Sequence, residues 1–580
     1  MRPPGRWLVL VALVSLTIGS YACVPRASAP APRLAELVRA YDRDVTPYYP
    51  FTASELGLRQ YDRMLANDIG EDYRSGFQAL CTRYLTDLRR VDAAALDGHE
   101  RLAHDIFEYR LQSCLDGFRF PWHLLPVNQV GQTWPSRFPV VGAGRGNHPF
   151  KTAQNYRDFL GRIDGFVIWI DTAIANMRLG VARGITHSRA SMLKVLPQLD
   201  AHIVDDPRAS LFYEPIRNFP AQFDDEARRG LTASYVEAIQ QKIVPAYRRL
   251  REFLQDEYLP RCRTSSGFSA LPNGPEWYAQ AVRWSTTTDL RPGEIYDLGL
   301  AEVARIRAAM AALRAEIDAA GELPPPRYRS IEDLLKAYAQ VRSEVDAAMP
   351  RLFGRFPRAG FEIRPIEAFR ERSMPSSYEA ASPDGARPGV FYLNSADLRS
   401  PGGAPVYRSL LLHEAVPGHH FQITLQRENK ALPGYRRFGW YTAFGEGWGL
   451  YAESLGIELG IYGNRWDRLG MLDAELFRAR RLVVDVGLHD KGWTREQAIT
   501  YLGGPTPNNE REVERYMVWP GQALAYKIGQ LKFLGLRRRA EAALGARFDV
   551  RAFHDELLRD GAMPLSVLEA KMDRWIAARR

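Results

Sequence analysis

Leu410–Gln426 reads LLLHEAVPGHHFQITLQ and places three of the chain's eleven histidines within eight residues, with a glutamate directly after the first. A His-Glu pair on a helix is a zinc-hydrolase device: His413 supplies a nitrogen ligand, while Glu414 stays off the metal and takes a proton from the water that the metal activates. In the usual spacing H-E-x-x-H the second histidine stands one turn further on, but here that position is Pro417. On a continuous helix His420 lies about −20° from His413 and roughly 10.5 Å along the axis, whereas His419 lies about 240° round. Continuity therefore favours His420 as the second ligand. Pro417 removes an intrahelical hydrogen bond and Gly418 loosens the backbone, so a kink there would bring in His419 instead.

A third ligand is expected from a separate helix. Tyr441–Leu459, YTAFGEGWGLYAESLGIEL, carries Glu446 and Glu453 on one helical face. Glu446 sits between two glycines, where a second backbone can approach closely, and is the expected third ligand. Glu453 is then placed to orient a histidine. A lone His or Glu is more often a satisfied core or surface residue, but this combination points to one zinc ion as cofactor.

Further along, Arg481, Asp485 and His489 recur at four-residue intervals, so a carboxylate between a cation and an imidazole could ready His489 to donate to an oxyanion. The alternative is a salt-bridged helix face. Tyr526, then Tyr516, are the phenols expected to stabilise a tetrahedral intermediate.

The 580 residues are 46% hydrophobic and 25% charged, an ordinary globular balance. The net charge is +9, yet 77 basic residues are interleaved with 68 acidic ones and form no basic block, which argues against a nucleic-acid partner. At the N-terminus, Arg2 and Arg6 precede the apolar run Trp7–Ile18 and small residues before Cys23, the look of an export signal over residues 1–22. Ala22-Cys23 resembles a bacterial lipobox with Cys23 as the lipidated residue, although Ser20 stands where leucine is usual. The alternative is plain cleavage near Ala22 or after Ala29 and a freely soluble secreted form. A membrane partner is expected only through that anchor, with localisation in the periplasm or cell envelope. Of the remaining cysteines, Cys81 and Cys114 are nearest in sequence, and a disulfide between them or buried free thiols are both compatible with the spacing.

After a Pro/Ala tether at 23–33, apolar residues recur at three and four through most of the chain, so the bulk is helical. Residues 34–260 form an N-terminal part and 261–580 a catalytic part, with one continuous domain over 34–580 expected. Phe118–Phe150 is too apolar for a linker and reads as an ordered loop. Phe361–Arg364 and Gly389–Asn394 are the β-rich exceptions; the second is a candidate to hold an extended peptide by edge pairing, or a small structural hairpin.

His413-Glu414-Ala415-Val416-Pro417-Gly418-His419-His420, Glu446-Gly447-Trp448-Gly449 with Glu453, Gly487-Leu488-His489, and Pro520-Gly521-Gln522-Ala523 with Tyr526 together resemble a large bacterial family catalogued as a domain of unknown function, many of whose members are exported lipoproteins. That family is thought distantly similar to the helical zinc peptidases of the thimet-oligopeptidase and angiotensin-converting-enzyme group. The resemblance implies a mostly α, clam-like body with a deep channel and a small sheet beside the metal helix. Matching His420-Phe421-Gln422 to that group's second histidine supports His420, with three extra residues after Glu414. The expectation is a zinc-dependent hydrolase, foremost a peptidase acting on a peptide substrate, with His413, His420 and Glu446 as ligands, Glu414 as base, and Tyr526 or His489 polarising the carbonyl. Its rivals are a hydrolase of esters or non-peptide amides and a catalytically inactive surface binding lipoprotein.

Overall fold

A computed structural model describes residues 33–146, 148–366, 375–382 and 387–580. The signal region, Cys23 and all of the tether but Arg33 lie outside the described residues. What is described is mostly α-helical with two small sheets.

Local signals start and stop the helices. Pro292 sits in the first turn of helix Pro292–Ala320, Glu294 accepts the Arg291 backbone N–H, and Gly321 ends the helix in the left-handed region at φ 58°. Thr152 and Asn155 form a reciprocal cap on Ala153–Ala182. That helix is long and apolar enough to span a membrane by composition. Its Tyr156, Phe159, Ile163, Phe166 and Ile170 instead enter a core built from residues 51–259. On its outer side Asp164 and Asp171 pair with Lys242 and Arg249. The helical stretch over residues 225–258 runs as Asp225–Ala238 and Val244–Glu252, with wide turns at Ile239–Ile243 and Phe253–Tyr258. The expected ordered loop Phe118–Phe150 contains a helix at Trp134–Val140. Cys81 and Cys114 are disulfide-bonded, and Cys262 is free.

Gly389–Leu393 is the middle strand of a three-stranded sheet, parallel to Phe361–Pro365 and antiparallel to Ser377–Glu379. Both of its edges are occupied, which corrects the expectation that this strand could pair with an extended peptide. Its side chains Val390, Phe391 and Leu393 are buried.

A second, larger core surrounds helix Thr442–Leu455, whose Phe444, Trp448 and Tyr451 pack on Phe533. This helix and Ala525–Leu544 meet through Gly447 and Gly529, where a Cβ on either would strike the other's backbone. Helix Ala525–Leu544 is tied in turn to Pro292–Ala320 and Arg465–His489 by the fully buried Lys527. Its ammonium donates to Glu475 at 2.6 Å and Gln530 at 2.7 Å, and pairs with Glu302 at 2.9 Å. Removing Lys527 leaves Glu302 and Glu475 to share Arg305, which lies 2.8 Å from each, and leaves the buried group short of one positive charge. Lys527→Ala is expected to lower the free energy of unfolding by about 3–5 kcal/mol, read as a fall in the urea midpoint; an unchanged midpoint would show that the cluster is not structural.

Candidate metal centre

His413 lies in the last turn of helix Arg408–Glu414. The helix stops there because the next residues cannot continue it. Ala415 leaves helical geometry at φ −110°, ψ −100°, Pro417 has no N–H for the His413 carbonyl, and Gly418 rests on the carbonyls of Leu412 and His413, where no side chain would fit. The peptide bond before Pro417 is cis. Trp448 Nε1–H donates to the Pro417 carbonyl at 2.8 Å, so the Glu446 helix holds the break in place. A new helix, His419–Glu428, begins at once.

The break decides which histidine meets His413. His419 Nε2 lies 3.4 Å and His413 Nε2 3.6 Å from Glu446 Oε2, and one donor atom from each of the three residues falls within a 4.8 Å span. Donors about 2.1 Å from a tetrahedral ion would stand roughly 3.4 Å apart, so the spacing fits a single small divalent cation. His420 is directed elsewhere. Its Nδ1 lies 2.9 Å from Tyr378 Oη and 3.3 Å from Thr424 Oγ1, it also hydrogen-bonds to the Ala359 backbone, and burial lowers its pKa to about 4. The preference for His420 rested on a continuous helix; with the axis broken at 415–418, the first residue of the new helix reaches the cluster.

The surrounding charges also fit a cation. His413 Nδ1–H donates to Glu453 Oε1 at 2.9 Å, leaving the Nε2 lone pair for a ligand, and Arg478 approaches the same carboxylate oxygen at 3.4 Å. Burial disfavours the His413 imidazolium, but Glu446 and Glu453 outweigh it and raise its pKa to about 9. Burial likewise opposes the Glu446 carboxylate, yet His413 and His419 hold it well below the usual range. Glu414 is buried beside them, and desolvation raises its pKa against the pull of His413 and His419. Three carboxylates, Glu414 and Glu453 buried and Glu446 half-buried, thus converge on two imidazoles, an arrangement a divalent ion would neutralise without protons.

Tyr526 adjoins the centre: its ring stacks on His413 with centroids 6.4 Å apart, and the Arg481 guanidinium lies 4.6 Å over the same ring. Gln522 hydrogen-bonds to its hydroxyl. Tyr516 belongs to a neighbouring network, accepting from Arg481 Nε and donating to Glu512, both at 2.9 Å. His489 is a correction. Its Nδ1 accepts the Phe268 N–H and its Nε2–H donates to the Tyr516 carbonyl, each at 3.0 Å, and burial lowers its pKa to about 3. Both nitrogens are spent, so it cannot donate to an oxyanion. Asp485, expected to hold it, instead accepts from Tyr278 and the Gly521 backbone.

Sequence reading missed Trp440, whose ring lies 5.8 Å from that of His419, and Arg478. It also missed why three glycines flank Glu446. Gly445 makes room for Trp440, Gly447 meets Gly529, and at Gly449 a Cβ would come within 2.7 Å of the His413 ring. Spacing alone carries no sign of the first or last of these contacts.

Fold and site define a large helical protein with, among the described residues, one His/His/Glu group suited to a divalent ion. The chain belongs to a family described as bacterial protein of unknown function (DUF885), which matches residues 50–572. A protein of Colwellia psychrerythraea described as a putative lipoprotein has a similar structure, with 29% identity and a TM-score of 0.83 over 94% of this chain and 99% of that one. A second putative lipoprotein, from Shewanella oneidensis, shares the fold at 18% identity and a TM-score of 0.68, over 93% and 100% of the two chains. No curated protein matches.

Zinc added to the purified protein is expected to bind with a stoichiometry of one. His413→Ala and His419→Ala should abolish that binding, while His420→Ala keeps it; Glu453→Gln should weaken it by about 10–100-fold. Calorimetry reads all four, and retention by His419→Ala with loss by His420→Ala would reverse the ligand assignment.

Proposed function

We propose that this protein is a zinc-dependent hydrolase of the cell envelope, acting on peptide bonds. The observation that carries the reading is the convergence of His413 Nε2, His419 Nε2 and Glu446 Oε2 with the buried Glu414 beside them. Those three residues would hold the ion. A bound zinc supplies Lewis acidity, bringing the pKa of water towards neutrality and polarising a carbonyl.

Glu414 accepts the proton as the water oxygen adds to the carbonyl carbon, and returns it to the nitrogen as the C–N bond breaks. Its raised pKa suits a group that must both take and give a proton. Tyr526, whose hydroxyl accepts from Gln522, keeps its own proton free to donate to the developing oxyanion. Glu453 fixes the His413 tautomer and Gly449 leaves that ring its space.

A peptide substrate is favoured by what adjoins the site. A cavity of about 420 Å³, walled by Tyr41, Tyr49, Tyr73, Trp284, Trp440 and Tyr441, ends at the first turn of the Glu446 helix. Such walls suit apolar side chains. The envelope location is supported by the N-terminal sequence, by the lipoprotein description of the Colwellia protein, and by the Cys81–Cys114 disulfide.

With zinc loaded, Glu414→Gln is expected to keep the metal and lose about 10²–10⁴-fold in kcat/KM in a peptide-library digest that a chelator also stops. An equally active variant would remove Glu414 from the mechanism. Cleavage of an ester panel but no peptide would move the protein to ester chemistry, and no turnover with stoichiometric zinc would leave a binding protein. In cells, Cys23→Ala should shift the protein from the membrane to the soluble fraction; an unchanged distribution on fractionation would exclude lipidation at Cys23.

A further inference from the structure

On helix His419–Glu428, residues 419, 423 and 427 follow one another a turn apart on one face. His419 faces Glu446 at one end. Ile423 and Arg427, further along, line a second cavity of about 330 Å³ together with Arg387, Arg437, Phe438 and Trp440. Trp440 joins the two regions, since it both walls this cavity and lies against the His419 ring.

The cavity is rich in guanidinium groups. Arg387, Arg427 and Arg437 line it with the carboxylates of Glu55 and Glu379, and Glu379 pairs with Arg387 at 3.1 Å. Arg427 donates to the Ala381 carbonyl at 3.3 Å, and Arg437 to the Arg427 carbonyl at 2.8 and 3.2 Å. Neither has a carboxylate within 4.0 Å among the described residues. Both rest on the Phe438 ring, each 5.3 Å from its centroid, so one aromatic holds two like charges close together. Burial, with Arg387 near, lowers the pKa of Arg427 against the pull of Glu55 and Tyr378. Among the described residues these two neighbouring guanidiniums are bonded to neutral carbonyls alone, which suits them to receiving an anion, and a carboxylate can accept from both at once.

We propose that this cavity is the subsite for a carboxylate of the substrate. From residue 419 to 427 the helix advances about 12 Å, and an extended peptide covers about 3.3 Å per residue. The carboxylate therefore falls about two to four residues from the bond held at the metal centre. It is either the C-terminal carboxylate of a short peptide or the side chain of an Asp or Glu near that end. The assignment deepens the hydrolase reading and rests on it for its role in catalysis, but not for binding.

The test uses the zinc-loaded protein and three N-acetylated pentapeptides that share their first four residues, the first two ending in the same uncharged residue. The first ends in a free carboxylate, the second in a carboxamide, and the third in a carboxamide with glutamate as its last residue. The free acid is expected to be cleaved with about 10–100-fold higher kcat/KM than the plain amide. That ratio should fall towards one in Arg427→Gln and in Arg437→Gln, and part of it should return in Arg427→Lys. Restored cleavage of the third peptide would assign the subsite to acidic side chains as well as the terminus. The same peptides titrated calorimetrically into Glu414→Gln give the second readout. Equal cleavage of acid and amide by the parent would overturn the subsite while leaving the hydrolase. No cleavage, with tighter binding of the acid that Arg427→Gln removes, would keep the subsite and overturn the hydrolase. Equal binding of acid and amide would overturn the subsite whatever the turnover.

Discussion

Burying a carboxylate without a counter-charge is costly, and this fold buries Glu414 and Glu453 and half-buries Glu446 around one pair of imidazoles. Much of the surrounding architecture answers that cost. Glu453 is met by His413 and Arg478, and Glu446 by both histidines. Glu414 faces the same imidazoles and shares its region with the like charge of Glu446. The group is thus poised between holding protons and holding a metal, and the 3.4 and 3.6 Å donor spacings are compatible with either.

That arrangement depends on close backbone approach. The Glu446 helix has small residues where it meets its neighbours: Gly447 against Gly529, and Gly449 against the His413 ring. Bulk on the same helix is spent elsewhere, with Trp448 both filling the core and tying down the 415–418 break through its indole N–H. Behind the site, Lys527 joins three long helices, so the scaffold that fixes the carboxylates contains a buried charge cluster of its own.

Trp440 sits where an aromatic cavity, an arginine-lined cavity and the His419 ring meet. It is still 44% exposed, unlike the core tryptophans Trp277 and Trp448. Under the proposed hydrolase reading, an exposed indole between the His419 ring and two cavities would order a substrate rather than stabilise the fold.

The helical class, the small sheet ahead of His413, and the residue types of the cluster were legible in the chain itself. Each is a local property: apolar spacing, β-rich runs, a His-Glu pair, and a glutamate among glycines. The choice between His419 and His420 was not, because it turned on whether the helix survived Pro417, and packing of Gly418 and Trp448 ended it. Nor could spacing show that His489 was spent on Phe268 and Tyr516, since those partners lie 221 and 27 residues away. Sequence alone determined which chemical groups were available and on which elements; only tertiary structure decided which of them share a site, because a ligand set is a distance condition among side chains and the path between them runs through a broken helix.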